Sequence, residues 1–373
     1  MPRPDWPGRS GPGLGRASAL EMRAAPALRT IPSRRTMSPI RRAVIGVAPA
    51  LLLVVALAGC GIDPAAPAGG NAGPAAADGA ADAIASAPID NCGTEVTVEH
   101  PAQRIIAIKS SPLELLLALG AGDRIIGSAF SDGPLPADLA DEGEGIPVLS
   151  DKLPSRESVL ALEPDLVFAG WESNFSTEGV GERDELQRLG VTTYVAPAAC
   201  KAAGYMPDPL TFDAVFAGFE EAGRLVGERD AAADLVARQR AQLADIAPDT
   251  RDLTAVWYSS GTDQPYVGAG IGAPEMIMSA AGLSNVFADV HDTWTSTSWE
   301  LVAAANPDVI VLVDAAWNTA ESKIERLRSN PITAQLDAVR EKRFLIVDFP
   351  ATEAGIRNVD AVAALVDDLA ELP

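Results

Sequence analysis

Residues 157–170 read ESVLALEPDLVFAG, and residues 300–313 read ELVAAANPDVIVLV. Aligned on Glu157 and Glu300, both take the form Glu-x-Val-x-Ala-x-x-Pro-Asp followed by an apolar run. Proline cannot continue a helix, so each copy predicts a short helix, a Pro-Asp turn and a strand. A strand apolar on both faces fits a parallel sheet covered on both sides. Working outward, each copy has a strand and helix upstream: RIIAIKSSPLELLLALG (104–120) and TAVWYSSGTDQPYVGAGIGAPEMIMSAAG (254–282). Each also has a further strand downstream, VTTYVAP (191–197) and RFLIVDFP (343–350). The duplication predicts an α/β fold of two lobes with mainly parallel sheets flanked by helices.

Between the copies, residues 209–247 read as helix almost throughout. Thr211 caps a first segment with apolar positions Phe212, Val215, Phe216, Phe219 and Val226, closing at Gly227. A second segment, 230–246, continues with Leu235, Val236, Leu243 and Ile246 until Pro248. The expectation is one long backbone helix joining the lobes, with a ligand cleft between them beyond the strand carboxyl ends.

The N-terminus reads as an address. Arg41 and Arg42 precede sixteen uncharged residues (43–58), whose closing Leu57-Ala58 leads into Gly59-Cys60. That run is short for a ~30 Å hydrocarbon core, and it matches a bacterial lipoprotein signal with cleavage before a lipidated Cys60. Met37 would start a signal of ordinary length, so Met1 and Met37 both stand as start sites. In 61–90, twenty-one of thirty residues are Ala, Gly or Pro, a composition that cannot bury a core and reads as a tether. The expected segments are 1–59 (extension and signal), 60–91 (lipidated Cys and tether), 92–208 (first lobe), 209–248 (connecting helices) and 249–373 (second lobe). An extracytoplasmic compartment permits disulfides, and Cys92 and Cys200 are the two thiols left to pair.

Charge narrows the function. The chain carries −22, and residues 1–59 hold nine Arg against Asp5 and Glu21, so the remainder carries −29. Such a body repels nucleic acid. Two histidines and three cysteines are too few for a His- or Cys-built metal site, and no resident cofactor is expected. GVGERDEL and GAGIGAPE lack the lysine of a phosphate-binding loop, and no Gly-x-Ser-x-Gly elbow surrounds Ser260.

From about Cys92 to Leu372 the chain resembles the helical-backbone substrate-binding lipoproteins of ATP-binding-cassette importers, the ferric-siderophore, haem and cobalamin type. The carriers are the lipobox, the RIIAI…ELLLALG opening, both Pro-Asp repeats and the central helix. A narrower group, tied to import of the deazaflavin coenzyme precursor factor 420-0, is resembled in several stretches. They are IKSSPLELLLALG (108–120), PDLVFAGWESNFS (164–176), WYSSGTDQPYVGAGIGAPEMIM (257–278), DVHDTWTSTSWE (289–300), VDAAWNTAESKI (313–324) and PATEAGIRN (350–358). The resemblance implies a monomeric receptor, lipid-anchored at the outer face, that hands a small molecule to permease subunits served by a cytoplasmic ATPase. It also implies that Glu157 and Glu300, one per lobe, dock on permease arginines, as a two-fold pair of surface carboxylates suits.

Loops after strands supply the cleft candidates: Lys109, Ser110, Ser111, Trp171, Asn174, Tyr258, Ser260, Trp294, Thr295, Trp317, Glu353 and Arg357. Tryptophans on opposing lobes suit stacking on a planar ring. Lys109 and Arg357 are cations suited to a phosphate or carboxylate, with backbone amides of Ser110, Ser111 and Ser260 as added donors. A ferric-siderophore, haem or cobalamin ligand, and in another class a lipid-anchored hydrolase using Ser260 and His291, stand as alternatives.

Overall fold

The computed structural model describes residues 87–372. The signal, Cys60 and all but the last few residues of the tether lie outside the described residues.

A hairpin of β1 (Ile89–Asn91) and β2 (Thr94–Val96) precedes the first sheet. That sheet comprises β3 (Ile105–Ile108), β4 (Ile125–Ala129), β5 (Val148–Ser150), β6 (Leu166–Ala169) and β7 (Thr192–Val195). Its order is β5-β4-β3-β6-β7, with every pairing parallel. Helices α1 (Ser110–Ala118), α2 (Arg156–Leu160) and α3 (Arg183–Arg188) make the crossovers. All four residues of β3 and of β6 are buried. Ile105, Ala107, Leu166 and Phe168 face one core, and Ile106, Ile108, Val167 and Ala169 face another. That period-two division is why the runs are apolar without alternation. Cys92 and Cys200 form a disulfide on the second of these faces.

The connection differs from a single rod. It consists of α4 (Phe212–Val226) and α5 (Arg229–Asp245), which pack against each other. Thr211 caps α4 through its hydroxyl, and Gly227 ends it in the left-handed region (φ 77°), which reverses the chain. Gly223 keeps the pair close: a Cβ there would stand 2.6 Å from that of Ala232. The amide of Leu210 donates to Ile271 O (3.0 Å) in the second lobe, and that of Ala102 donates to Leu225 O (2.9 Å). Thus α4 runs from the second lobe back along the first, and α5 returns to pack on the C-terminal helix.

The second sheet comprises β8 (Thr254–Ser260), β9 (Tyr266–Gly268), β10 (Ser284–Asn285), β11 (Trp294–Ser296), β12 (Val309–Asp314) and β13 (Phe344–Asp348). Strands β8, β12 and β13 are parallel, while β9 and β11 add an antiparallel edge. Around it lie α6 (Ala273–Ala280), α7 (Trp299–Ala305), α8 (Ala320–Ser329), α9 (Asp337–Arg340) and α10 (Asn358–Glu371). One apolar core runs through the inner faces of both sheets and the helices between them.

The repeated sequence folds the same way twice. Ser155 and Ser298 cap α2 and α7, each hydroxyl accepting an amide at 3.3 Å. Glu163 (φ 48°) and Asn306 (φ 41°) take the left-handed turn before each Pro-Asp pair. Asp165 then accepts the amides of Gln103 (2.8 Å) and Arg104 (2.9 Å) leading into β3. Asp308 accepts that of Thr254 (2.9 Å) opening β8. The aspartate of each repeat therefore ties its strand to the neighbouring one.

Candidate functional site

The strand carboxyl ends of the two lobes face each other across a cavity of about 410 Å³. The first lobe contributes Ser111, Gly170, Trp171, Glu172 and Lys201; the second contributes Ser260, Tyr266, Trp294, Trp317, Phe349 and Glu353, among others. Six of the twelve predicted cleft residues line it: Ser111, Trp171, Ser260, Trp294, Trp317 and Glu353.

Trp171 follows β6, where Gly170 leaves room for the Lys109 side chain: a Cβ on Gly170 would come within 2.8 Å of that of Lys109. Tyr266 and Trp294 stack at 5.7 Å and 15° on the antiparallel edge, so Trp294 stands on a short strand and not in a loop. Trp317 is 63% exposed and meets Phe349 edge-on at 5.8 Å. Glu353 follows β13; burial pushes its carboxyl above the ordinary range, opposed by the charge of Lys109.

Six predicted residues lie outside the cavity lining, and each has a protein partner. Lys109 is buried and ion-paired with Asp132. Its ammonium also sits 3.8 Å from the Trp171 ring centroid and 4.3 Å from that of Phe130. Ser110 caps the same arrangement: its amide donates to Asp132 (3.2 Å) and its hydroxyl accepts the Asp132 amide (2.8 Å). The expected anion cradle at the start of α1 is therefore filled by the protein's own carboxylate. Arg357 is likewise engaged, donating from Nε to Glu114 (2.8 Å) and from Nη2 to Glu114 and to Pro134 O (2.7 Å). Burial nonetheless raises both Asp132 and Glu114 above the usual carboxylate range.

Asn174 is buried and accepts the Trp171 amide at 3.1 Å, so it orients that residue from behind. Tyr258 is buried and donates to Gly261 O (2.6 Å), edge-on to Trp299 at 5.0 Å. Thr295 pairs with Val267 on the antiparallel edge. Ser260 ends β8, so its amide is not a helix-start donor. His291 is exposed and meets Asp208 at 3.0 Å, a contact that raises its pKa. Glu157 and Glu300 are both exposed in the first turns of α2 and α7; the Glu157 carboxyl is lowered, chiefly by backbone hydrogen bonding.

Sequence reasoning missed Glu172, Lys201, Tyr266 and Phe349. Lys201 and Phe349 follow β7 and β13, so the rule that located Trp171 reaches them when applied to every strand end. Lys201 crosses the mouth: its ammonium donates to Thr293 Oγ1 (2.7 Å) and lies 3.4 Å from Asp292, while Glu172 accepts the Ala202 amide at 3.2 Å.

A two-lobed α/β body with an aromatic-lined cavity between facing strand ends defines a solute-receptor architecture. A family model described as periplasmic binding protein matches residues 105–351, and the chain belongs to that family. It is 30% identical over 280 residues to a cobalamin-binding protein of Halobacterium salinarum, covering 70% of this chain and 68% of that one. It is 25% identical to an uncharacterized ABC transporter substrate-binding lipoprotein of Bacillus subtilis, covering 75% and 84%. Among solved structures, an ABC-type Fe3+-hydroxamate transport system from Saccharomonospora viridis superposes with a TM-score of 0.66 at 27% identity, covering 76% and 99%.

Proposed function

We propose that this chain is the extracytoplasmic, lipid-anchored receptor of an ATP-binding-cassette importer, and that its cleft captures a flat, ring-bearing solute. In the narrower form of the reading, that solute is the deazaflavin precursor factor 420-0. The observation that carries it is the aromatic lining supplied from both lobes: Trp171 on one side, and Tyr266, Trp294, Trp317 and Phe349 on the other. Planar side chains on opposing walls suit a planar ring, and a cavity near 410 Å³ suits a molecule of coenzyme size. With Lys109 and Arg357 held in buried ion pairs, an anionic arm is met at the mouth by the half-exposed Lys201, whose contact with Asp292 is a loose 3.4 Å, and not at the floor. Glu157 and Glu300 are the proposed permease contacts, and Cys60 the proposed lipid attachment.

A corrinoid is the second reading, favoured by the cobalamin-binding relative. It exceeds this cavity and needs the lobes further apart. A hydrolase has less support, since His291 is hydrogen-bonded to Asp208 and not to Ser260.

Tryptophan emission tests the proposal. A ring held in the cleft quenches Trp171, Trp294 and Trp317 saturably, and Trp171→Ala weakens binding at least about thirtyfold, the scale of an interface anchor worth ~2 kcal/mol. Unchanged affinity in Trp171→Ala contradicts the proposed placement of the ring.

A further inference from the structure

We infer that Glu353 is the residue that reads the ligand: its carboxylate accepts N–H donors from the ring edge that enters deepest. The cavity then takes a flat ring with an imide or amide edge and refuses one that brings a carboxylate there. The inference rests on the receptor function proposed above and deepens it by naming the chemistry of the bound edge.

Three observations carry it. First, Glu353 lines the cavity on a segment held rigid from behind. Buried Asn358 donates to Glu353 O (2.8 Å) and Ala351 O (3.0 Å), and accepts the Gly355 amide (2.8 Å). Second, the neighbouring cations are committed elsewhere. Lys109 is buried in a pair with Asp132 and Arg357 in one with Glu114, while the half-exposed Lys201 stands at the mouth, 3.4 Å from Asp292. The charges of Lys109 and, from the mouth, Lys201 reach Glu353, but each is ion-paired with another carboxylate and Asp132 repels the Glu353 carboxylate, so the floor around Lys109 carries an excess negative charge. Third, Trp171 lines the same cavity from the opposite lobe, so the Glu353 carboxyl and an aromatic face are presented to one solute.

A carboxylate offers about four lone-pair sites, which N–H groups of a ligand can take up. Withdrawing such a group from water is unfavourable unless donors replace the water. Inside a cavity that a ligand fills, the ligand is what supplies them. The pyrimidinedione edge of a deazaflavin presents an N–H between two carbonyls, and the rim of a corrinoid presents amides. Haem propionates and ferric catecholates present anions, which the excess charge at the floor repels.

The test is a calorimetric titration of the purified protein, Glu353→Gln and Glu353→Met with 8-hydroxy-5-deazariboflavin and its N3-methyl derivative, with cyanocobalamin and haem alongside. The wild type is expected to favour the N–H form by about ten- to hundredfold, the scale of one hydrogen bond to a charged group. Glu353→Met equalises the two forms while its Tm stays at or above the wild-type value, a combination that a merely structural role for Glu353 does not give. Equal wild-type affinity for the two ring forms, or discrimination retained in Glu353→Met, overturns the inference and leaves the receptor function standing. Binding of cyanocobalamin alone, weakened by Glu353→Met, keeps the inference and displaces the deazaflavin; the same binding unaffected by Glu353→Met overturns the inference. Binding of haem alone overturns the inference and keeps the receptor. Binding of none of the four overturns both.

Discussion

Lys109 shows how one residue is held against its own preference. Its φ of 83° and ψ of 163° lie in a region that is essentially glycine's, at a cost of about 1–3 kcal/mol. The conformation persists because the ammonium is fixed by Asp132 and by the rings of Trp171 and Phe130. Lys109→Met leaves Asp132 buried without its cation, so a loss of about 3–5 kcal/mol is expected from the denaturant midpoint. The double change Lys109→Met, Asp132→Asn is expected to recover part of it. Glu353 behaves oppositely with pH. Because burial raises its folded-state pKa, the stability it confers is present below the ordinary glutamate range and lost as pH rises through the raised value. The Tm of Glu353→Gln minus that of the wild type is therefore expected to grow between pH 4 and pH 7.5. A gap that shrinks contradicts the assigned burial. The sequence shows that Lys109 and Arg357 are cations after strand ends. It does not show that Asp132 and Glu114, 23 and 243 positions away, already neutralise them.

Among the elements, the helix, Pro-Asp turn and strand of the two repeats are legible in the sequence, whereas the serine caps, the left-handed Glu163 and Asn306 and the strand-tying role of Asp165 and Asp308 emerge only in the fold. The parallel strands were legible as unbroken apolar runs. The antiparallel edge of β9 and β11 is not, because three-residue strands leave no periodicity to count, and the sequence alone therefore places Trp294 in a loop. The connecting helices were found, and Gly227 was marked as the end of the first. That the chain reverses there depends on Gly223 and Ala232 packing across the turn, which no local pattern records. Gly227→Ala tests the reversal. It forces an L-residue into φ 77° and brings a Cβ within 2.7 Å of the Pro101 ring, so a loss of at least about 1–3 kcal/mol is expected from chemical denaturation. A loss within ±0.5 kcal/mol, the ordinary range of a surface change, contradicts a required turn.

For the whole molecule, a shared apolar core joins the lobes and the Glu114–Arg357 pair crosses between them. The Cys92–Cys200 bridge spans 108 positions of the first lobe. Removing it is expected to lower stability by about 2–5 kcal/mol, read as a Tm difference with and without reductant. Cys92→Ser with Cys200→Ser checks the assignment, because that variant no longer responds to reductant. Changing Glu157 and Glu300 together to Gln is expected to leave ligand affinity within about twofold of wild type and to abolish uptake in whole cells, since both carboxylates are exposed and neither lines the cavity. Lost affinity in that variant contradicts the proposed docking role. The measurement closest to the central claim is a calorimetric titration of the purified protein with factor 420-0, beside cyanocobalamin and a ferric hydroxamate. One-to-one saturable binding of the deazaflavin, lost in Trp171→Ala, is the predicted result; binding of the ferric hydroxamate alone, unaffected by that substitution, contradicts it.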